Sequence, residues 1–230
     1  MAESTQHLRF LTKVDLTGNK ITKLRKILCP ELKNLVLDQN EIAECELNQH
    51  TALEHLSLNK NKLVSLAGLA NLTNLKTLSV SENENLTSIS GITNCPNLKK
   101  LVVSANPKLE GFDKVPDLPG LEEITLNGCP IAKVEDVEKL GSLKNLKAIN
   151  IAETPLAEEK GDDIKKEILI ALDQLKIKTV NGEEITAEEV ADAKNEKKER
   201  IKAAEEARKA AEEEAKAAAA AAEGAEAEAE

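Results

Sequence analysis

Cys29, Cys45, Cys95 and Cys129 are the side chains best suited to hold a metal or act as nucleophiles, yet no two of them form a C-x-x-C pair. His7, His50 and His55 are the only imidazoles, and none stands with a Cys or Ser in a recognisable catalytic arrangement. The adjacent acids Glu122-Glu123 and Asp162-Asp163 have nothing converging on them to perturb a pKa and read as solvated charges. Neither G-x-x-x-x-G-K-[ST] nor G-x-G-x-x-G occurs. The sequence therefore offers no catalytic, cofactor-binding or metal-ligating residue. No cofactor, no enzyme activity and no small-molecule ligand are expected.

The cysteines are explained by where they fall in a longer pattern. L-x-x-L-x-L-x-x-N-x-I/L, with aliphatic substitutions, recurs seven times, starting at Leu11, Leu32, Leu53, Leu75, Leu98, Leu121 and Leu146. Successive starts lie 21, 21, 22, 23, 23 and 25 residues apart, inside the span of about 20–29 that marks leucine-rich repeats. Cys29 and Cys95 each stand three residues before a repeat's first Leu, Cys45 lies in a second apolar column, and Cys129 replaces a turn Asn. Such phases predict buried structural thiols, since a free Cys packs as a small apolar residue.

Each position of the pattern has a physical task. The L-x-L core alternates with period two, so it predicts one short strand per repeat with apolar residues inward. Stacked repeats then make a parallel sheet, and the class is α/β, a solenoid whose short strands line the concave face. Asn19, Asn40, Asn61, Asn83 and Asn106 sit where the chain leaves the sheet; their amides are expected to satisfy buried backbone groups of neighbouring turns, each worth about 1–3 kcal/mol if left unpaired. Leu24, Cys45, Leu66, Ile89, Phe112 and Val134 form the second buried column. The return segments predict turns, 3₁₀ pieces or brief helices on the convex side.

Composition narrows the partners. The chain carries 31 basic and 41 acidic residues, for a net charge of −10. Residues 187–230 hold 14 acids against 8 bases, which leaves 27 against 23 upstream. Neither part has the positive excess that phosphate neutralisation requires, so nucleic acid is not an expected partner. No apolar run is long enough for a membrane span, and MAESTQHLRF lacks a basic flank and apolar signal core. An intracellular protein with reduced thiols and no membrane association is expected.

That leaves the surface. Outward strand positions predict one column through Lys13, Asn34, His55, Thr77, Lys100, Glu123 and Ala148, and a central one through Asp15, Val36, Ser57, Ser79, Val102, Thr125 and Asn150. A third runs through Thr17, Asp38, Asn59, Ser81, Ser104, Asn127 and Ala152. The face offers no Trp, Tyr or Arg anchor. It reads either as a solvated sheet or as a surface whose small side chains admit a partner helix or strand closely. The candidate protein-binding residues are Lys13, Asp15, Asn34, Val36, His55, Ser57, Thr77, Ser79, Lys100, Val102, Glu123 and Thr125.

Three domains follow: residues 1–156 as the solenoid of seven repeats, 157–186 as a C-terminal cap, and 187–230 as a charged tail that is helical or partly disordered. At the seventh repeat Thr154 stands for Asn, and Glu159 interrupts the second apolar column. From Gly161 the period turns helical through Ile164, Ile168, Leu172 and Leu175, with Asp162 or Asp163 as the expected N-cap and Asn181-Gly182 as a closing turn. In the tail, Ala, Glu, Lys and Arg without Gly or Pro from 187 to 222 predict a solvent-exposed helix about 54 Å long.

The run TPLAEEKGDDIKKEILIALDQLKIKTVNGEEITAEEVADA resembles the C-terminal cap of leucine-rich repeat proteins such as the small leucine-rich spliceosomal subunit, the leucine-rich dynein light chain and several ciliary proteins. Pro155, Leu156, Ile168, Leu169, Leu172, Leu175, Val180, Gly182 and Ile185 match that cap in order, and Thr154, Lys165, Lys166 and Asn181 depart from it. From Ile124 to about Lys209, cap plus charged tail is similar to a leucine-rich repeat protein of ciliary radial spokes. That resemblance implies a non-catalytic structural subunit of the motile axoneme, cytoplasmic and cytoskeletal, whose partners are other protein subunits. The alternative is a soluble regulatory binder, either a phosphatase regulator or an acidic nuclear phosphoprotein. The first would present aromatic contacts on its concave face, and the second a nearly pure Asp/Glu tail.

Overall fold

The computed structural model describes residues 10–24, 27, 29–109 and 115–227, with side chains through residue 211. Phe112 of the second apolar column lies outside them, as does His7.

The seven repeats each place a three-residue strand where the L-x-L core stands. These are β1 (Lys13–Asp15), β3 (Asn34–Val36), β5 (His55–Ser57), β6 (Thr77–Ser79), β7 (Lys100–Val102), β8 (Glu123–Thr125) and β9 (Ala148–Asn150), with β2 (Lys23–Leu24) and β4 (Glu44–Cys45) on the opposite side. The seven strands pair in parallel in chain order, and two more from the cap make the sheet nine-stranded among the described residues. Alternation sends Leu35, Leu56, Leu78, Leu101, Ile124 and Ile149 inward, each 2% exposed or less. Burial of one such aliphatic side chain is worth about 1.5–3 kcal/mol. The column repeats it along the whole stack, so an all-aliphatic core suffices.

The convex side departs from expectation at its start. Leu24 and Cys45 do not lie in turns or helices; β2 and β4 pair in parallel, Lys23 beside Glu44 and Leu24 beside Cys45. The two shortest repeats and the longest one differ here. Repeats of 21 residues leave an extended return segment. The 22-residue third repeat fits a 3₁₀ turn at Ala67–Leu69, and the longest, sixth repeat fits α1 (Val134–Glu138). In α1 the buried position passes from Val134 to Val137. Gly68 is required where repeats approach closely, because a Cβ there would fall 1.5 Å from the carbonyl oxygen of Cys45. Gly91 meets the backbone of Ala67 in the same way, at 2.4 Å.

The cap begins earlier than its helical period suggests. Thr154 is the N-cap of α2 (Pro155–Lys160), its Oγ1 accepting from the Ala157 amide at 3.2 Å with Pro155 in the first turn. Neither Asp162 nor Asp163 caps by its side chain; both lie in a 3₁₀ turn at Gly161–Asp163 that leads into α3 (Ile164–Ala171). Leu172 and Leu175 therefore lie beyond the helix. The chain then returns to the sheet: β10 (Thr179–Val180) pairs parallel with β9, and β11 (Glu183–Glu184) folds back antiparallel on β10. Asn181 and Gly182 both have positive φ, 51° and 80°, as a two-residue hairpin requires.

The tail is a helix, α4 (Ala187–Ala227), of 41 residues, about 62 Å at 1.5 Å per residue. It starts with a capping box: the Thr186 amide donates to Glu189 Oε2 at 2.7 Å and the Glu189 amide donates to Thr186 Oγ1 at 3.2 Å. Its first turns are not free in solvent, as the charged composition suggested. They lie on α3, with Ala193 only 1% exposed.

Candidate protein-binding surface

The sheet register brings the predicted residues together in two straight columns. Lys13, Asn34, His55, Thr77, Lys100 and Glu123 are lateral neighbours in turn, and so are Asp15, Val36, Ser57, Ser79, Val102 and Thr125. Lys13, Asp15 and His55 are exposed, and the other nine are half-buried. Lys100 and Glu123 pair at 2.7 Å. Thr17 donates to Asp15 Oδ1 from its hydroxyl at 2.7 Å and its amide at 3.0 Å, which holds the Asp15 carboxyl below its usual range.

The strands stop before the third column, whose side chains serve the backbone instead. Asp38 Oδ1 accepts from the Asn59 amide at 2.8 Å, and Asn59 Oδ1 accepts from the Ser81 amide at 2.7 Å. Central-column serines join the same network: Ser57 Oγ donates to Asp38 Oδ1 at 2.7 Å, Ser79 Oγ donates to Asn59 Oδ1 at 2.8 Å. Ser57 and Ser79 are therefore already engaged within the sheet. Val36 and Val102, apolar, carry no such bond.

Beneath the face the turn asparagines do the predicted work. Asn61 Nδ2 donates to Leu37 O of the preceding repeat at 2.9 Å and to Leu58 O of its own at 3.1 Å, while its Oδ1 accepts from the Ile42 amide at 3.0 Å. Asn40, Asn83 and Asn106 repeat the pattern, whereas Asn19, in the first repeat, is exposed and its bonds among the described residues stay within its own turn. Cys129 keeps the bond across repeats, donating to Val103 O at 3.2 Å. Thr154 keeps the local one, to Ile151 O at 2.7 Å. All four cysteines are buried and unpaired, and burial pushes the Cys45 thiol up to about 12, with Glu46 adding to it.

Three features escaped the sequence reading. Asn74, Asn97 and Asn145, each just before a repeat's first Leu, donate to Thr51 O, Thr73 O and Pro119 O at 2.7–2.8 Å; the recurrent N-L-K was the available signal. On the sheet rim, Glu54 bridges Lys33 and Lys76 at 3.1 and 2.6 Å, and Glu122, expected as a solvated charge, instead bridges Lys99 and Lys147 at 3.5 and 2.8 Å, with Lys147 holding its carboxyl below the usual range. The third is the anchor of α4. Glu167, 8% exposed, receives Arg200 through two bonds of 2.9 and 2.7 Å, and Lys197 caps α3 by donating to Ile170 O at 3.1 Å. The Arg200 guanidinium holds the Glu167 carboxyl below the usual range, and Glu167 and then Glu196 hold Arg200 above its own.

Among the described residues, no three His, Cys, Asp or Glu side chains are grouped to hold a metal, and no helix is long and apolar enough to cross a membrane. Repeating strand, turn-asparagine ladder and aliphatic core define a leucine-rich repeat solenoid. Residues 27–154, more than half the chain, match the family of the endo-beta-N-acetylglucosaminidase EndoS leucine-rich repeat domain, and the chain belongs to that leucine-rich repeat family. Over 81 residues it is 37% identical to an uncharacterized leucine-rich repeat-containing protein of Schizosaccharomyces pombe, a stretch covering 33% of this chain and 13% of that one. The chain thus spans only a small part of that relative. Among solved structures it is similar to internalin C2 of Listeria monocytogenes, at 21% identity and TM-score 0.48, covering 76% of this chain and 83% of that one. The Drosophila melanogaster SNF/U2A' complex gives 19% identity and TM-score 0.41, covering 83% and 86%.

Proposed function

We propose that the protein is a non-catalytic protein-binding scaffold, a structural subunit of a ciliary axonemal complex such as a radial spoke, cytoplasmic and cytoskeletal in location. The observation that carries the scaffold reading is the joint at Glu167 and Arg200, which ties a concave sheet face to a long helix running beyond the cap. A partner seated on the sheet and another on the helix would be held in fixed relation. The ciliary assignment rests on the resemblance of cap plus tail to radial-spoke leucine-rich repeat proteins.

Detergent extraction of isolated cilia tests the location: the protein should stay with the axoneme, and its release into the soluble fraction would favour a soluble regulator. Val102→Arg tests the face. It should abolish co-purification of axonemal partners while leaving the unfolding midpoint unchanged, and undiminished co-purification would refute the concave site. Val102 suits this better than Ser79, whose bond to Asn59 a substitution would also remove.

A further inference from the structure

Among the described residues, the first repeat ends the sheet: β1 lies at its edge and pairs with β3 alone. Thr12 O accepts from the Asn34 amide at 2.9 Å and the Leu16 amide donates to Val36 O at 2.8 Å. By alternation, residues 12, 14 and 16 turn their peptide groups to β3, and those of Lys13 and Asp15 face outward. Below the strand, Leu11, Val14, Leu16 and Ile21 are only partly buried, whereas Leu32, Leu35, Leu37 and Ile42 one repeat later are 1% exposed or less. A row of free peptide groups over partly open apolar side chains is a template for another strand.

The residues on the edge select its occupant. Antiparallel pairing with β1 of a second copy, about a two-fold axis through Val14, sets Lys13 opposite Asp15 and Asp15 opposite Lys13. In that register the outward peptide groups of Lys13 and Asp15 meet as hydrogen-bonded pairs, with Val14 facing Val14 between them. A slip of one residue sets outward groups against inward ones. A slip of two sets Lys13 against Lys13 or Asp15 against Asp15. Only one register satisfies both backbone and charge, and it is closed and self-complementary. The opposite edge carries Glu183 and Glu184, both exposed, whose like charges oppose the same use.

We infer that the protein dimerises through β1, joining two concave faces into one continuous sheet over a joined core. This does not depend on the ciliary reading, and it makes the scaffold two-fold.

Sedimentation of the full chain over a concentration series tests it, with a species of twice the 24.9 kDa chain mass expected. Lys13→Glu alone, or Asp15→Lys alone, places like charges opposite and should weaken the dimer by about tenfold or more. An equimolar mixture of the two variants should recover it, because the new acid of one copy then faces the new lysine of the other. Lys13 is exposed, and the bonds Asp15 accepts come from Thr17 in its own exposed turn, so both variants should keep the wild-type circular dichroism. A wild-type chain that stays monomeric would overturn the inference. So would a dimer indifferent to either substitution, or a mixture no better than its components.

Discussion

At the C-terminal end of the solenoid, Leu146, Ile149, Ile151 and Leu156 are as hidden as any side chain in its middle, at 2% exposure or less. Their counterparts at the N-terminal end, Leu11, Val14, Leu16 and Ile21, do the same job in the same pattern and are only partly buried. What differs is the covering. β10 supplies a further strand to β9, α3 packs against α1 and α2, and α4 lies on α3. A repeat cannot bury both of its faces alone, so the same leucine is worth different amounts at the two ends.

The largest expected effect measures that difference. Leu146→Ala empties a site 1% exposed and should cost about 2–5 kcal/mol, while Leu11→Ala, at a site only partly buried, should cost less, about 1 kcal/mol. Denaturant unfolding of the two variants compares them directly, and equal midpoints would mean that the two ends are equivalently covered.

The second effect separates the two layers of the cap. Arg200→Ala leaves Glu167 nearly buried without its bidentate partner, a loss of about 1–3 kcal/mol, kept toward the lower figure because Arg200 is itself half-exposed. The loss should be local. Amide exchange should rise from 187 to 200 and stay unchanged in β5 to β8. Acid should act at the same place. The folded pKa of Glu167 is depressed, so its contribution is full above the unfolded value of about 4.3 and is lost as pH falls through the lower folded value. Glu189 and Glu196, also depressed, carry the same sign. Exchange between pH 6 and 3, values spanning about the carboxylate range, should show α4 loosening before the sheet; simultaneous loss would deny the cap its two layers.

Thr154 allows a finer cut. Thr154→Ala removes both the N-cap of α2 and the bond to Ile151 O, and should cost about 1–2 kcal/mol. Thermal unfolding checks it. If the seventh repeat were merely a decayed copy of the others, Thr154→Asn would stabilise it instead.

The repeats were legible because each obeys a rule that survives stacking. Period two sends Leu35 inward and Asn34 outward whatever the neighbours are, and Asn61 finds carbonyls because a turn must leave the sheet there. The cap was legible as a change of period but not in its boundaries. Leu172 and Leu175 continue a helical spacing, yet the segment leaves the helix at Ala171 so that β10 can pair with β9. Sheet completion outweighed local propensity, which no single segment encodes. Glu196 and Arg200 stand four apart in the sequence, a helical pairing distance, and pair at 2.6 Å. The bonds from Arg200 to Glu167, 33 residues away, depend on α4 folding back over α3. The concave columns were placed correctly, whereas the engagement of Ser57 and Ser79 by Asp38 and Asn59 needed the spacing between repeats.

The smallest effects compare one lysine at each end. Lys23 pairs with Glu44 at 3.0 Å on the convex side of the first repeats, where both side chains are more than half-exposed. Lys197 reaches Asp173 at 2.7 Å and also donates to Ile170 O at the end of α3. Removing Lys23 gives back to water two groups that were never withdrawn from it, so Lys23→Ala should change stability by less than about 0.5 kcal/mol. Lys197→Ala also leaves a carbonyl at a helix C-terminus without its donor and should cost about 0.5–1 kcal/mol. Salt distinguishes the two contributions. Raising ionic strength screens the exposed Lys23 pair, so the Lys23→Ala difference should vanish, while part of the Lys197→Ala difference should persist because a hydrogen bond to a backbone carbonyl is less dependent on net charge. If both vanished alike, α4 would rest on α3 by its apolar contacts and the Glu167 pair alone, and the C-terminal cap would differ from the open N-terminal edge in buried area and that one pair.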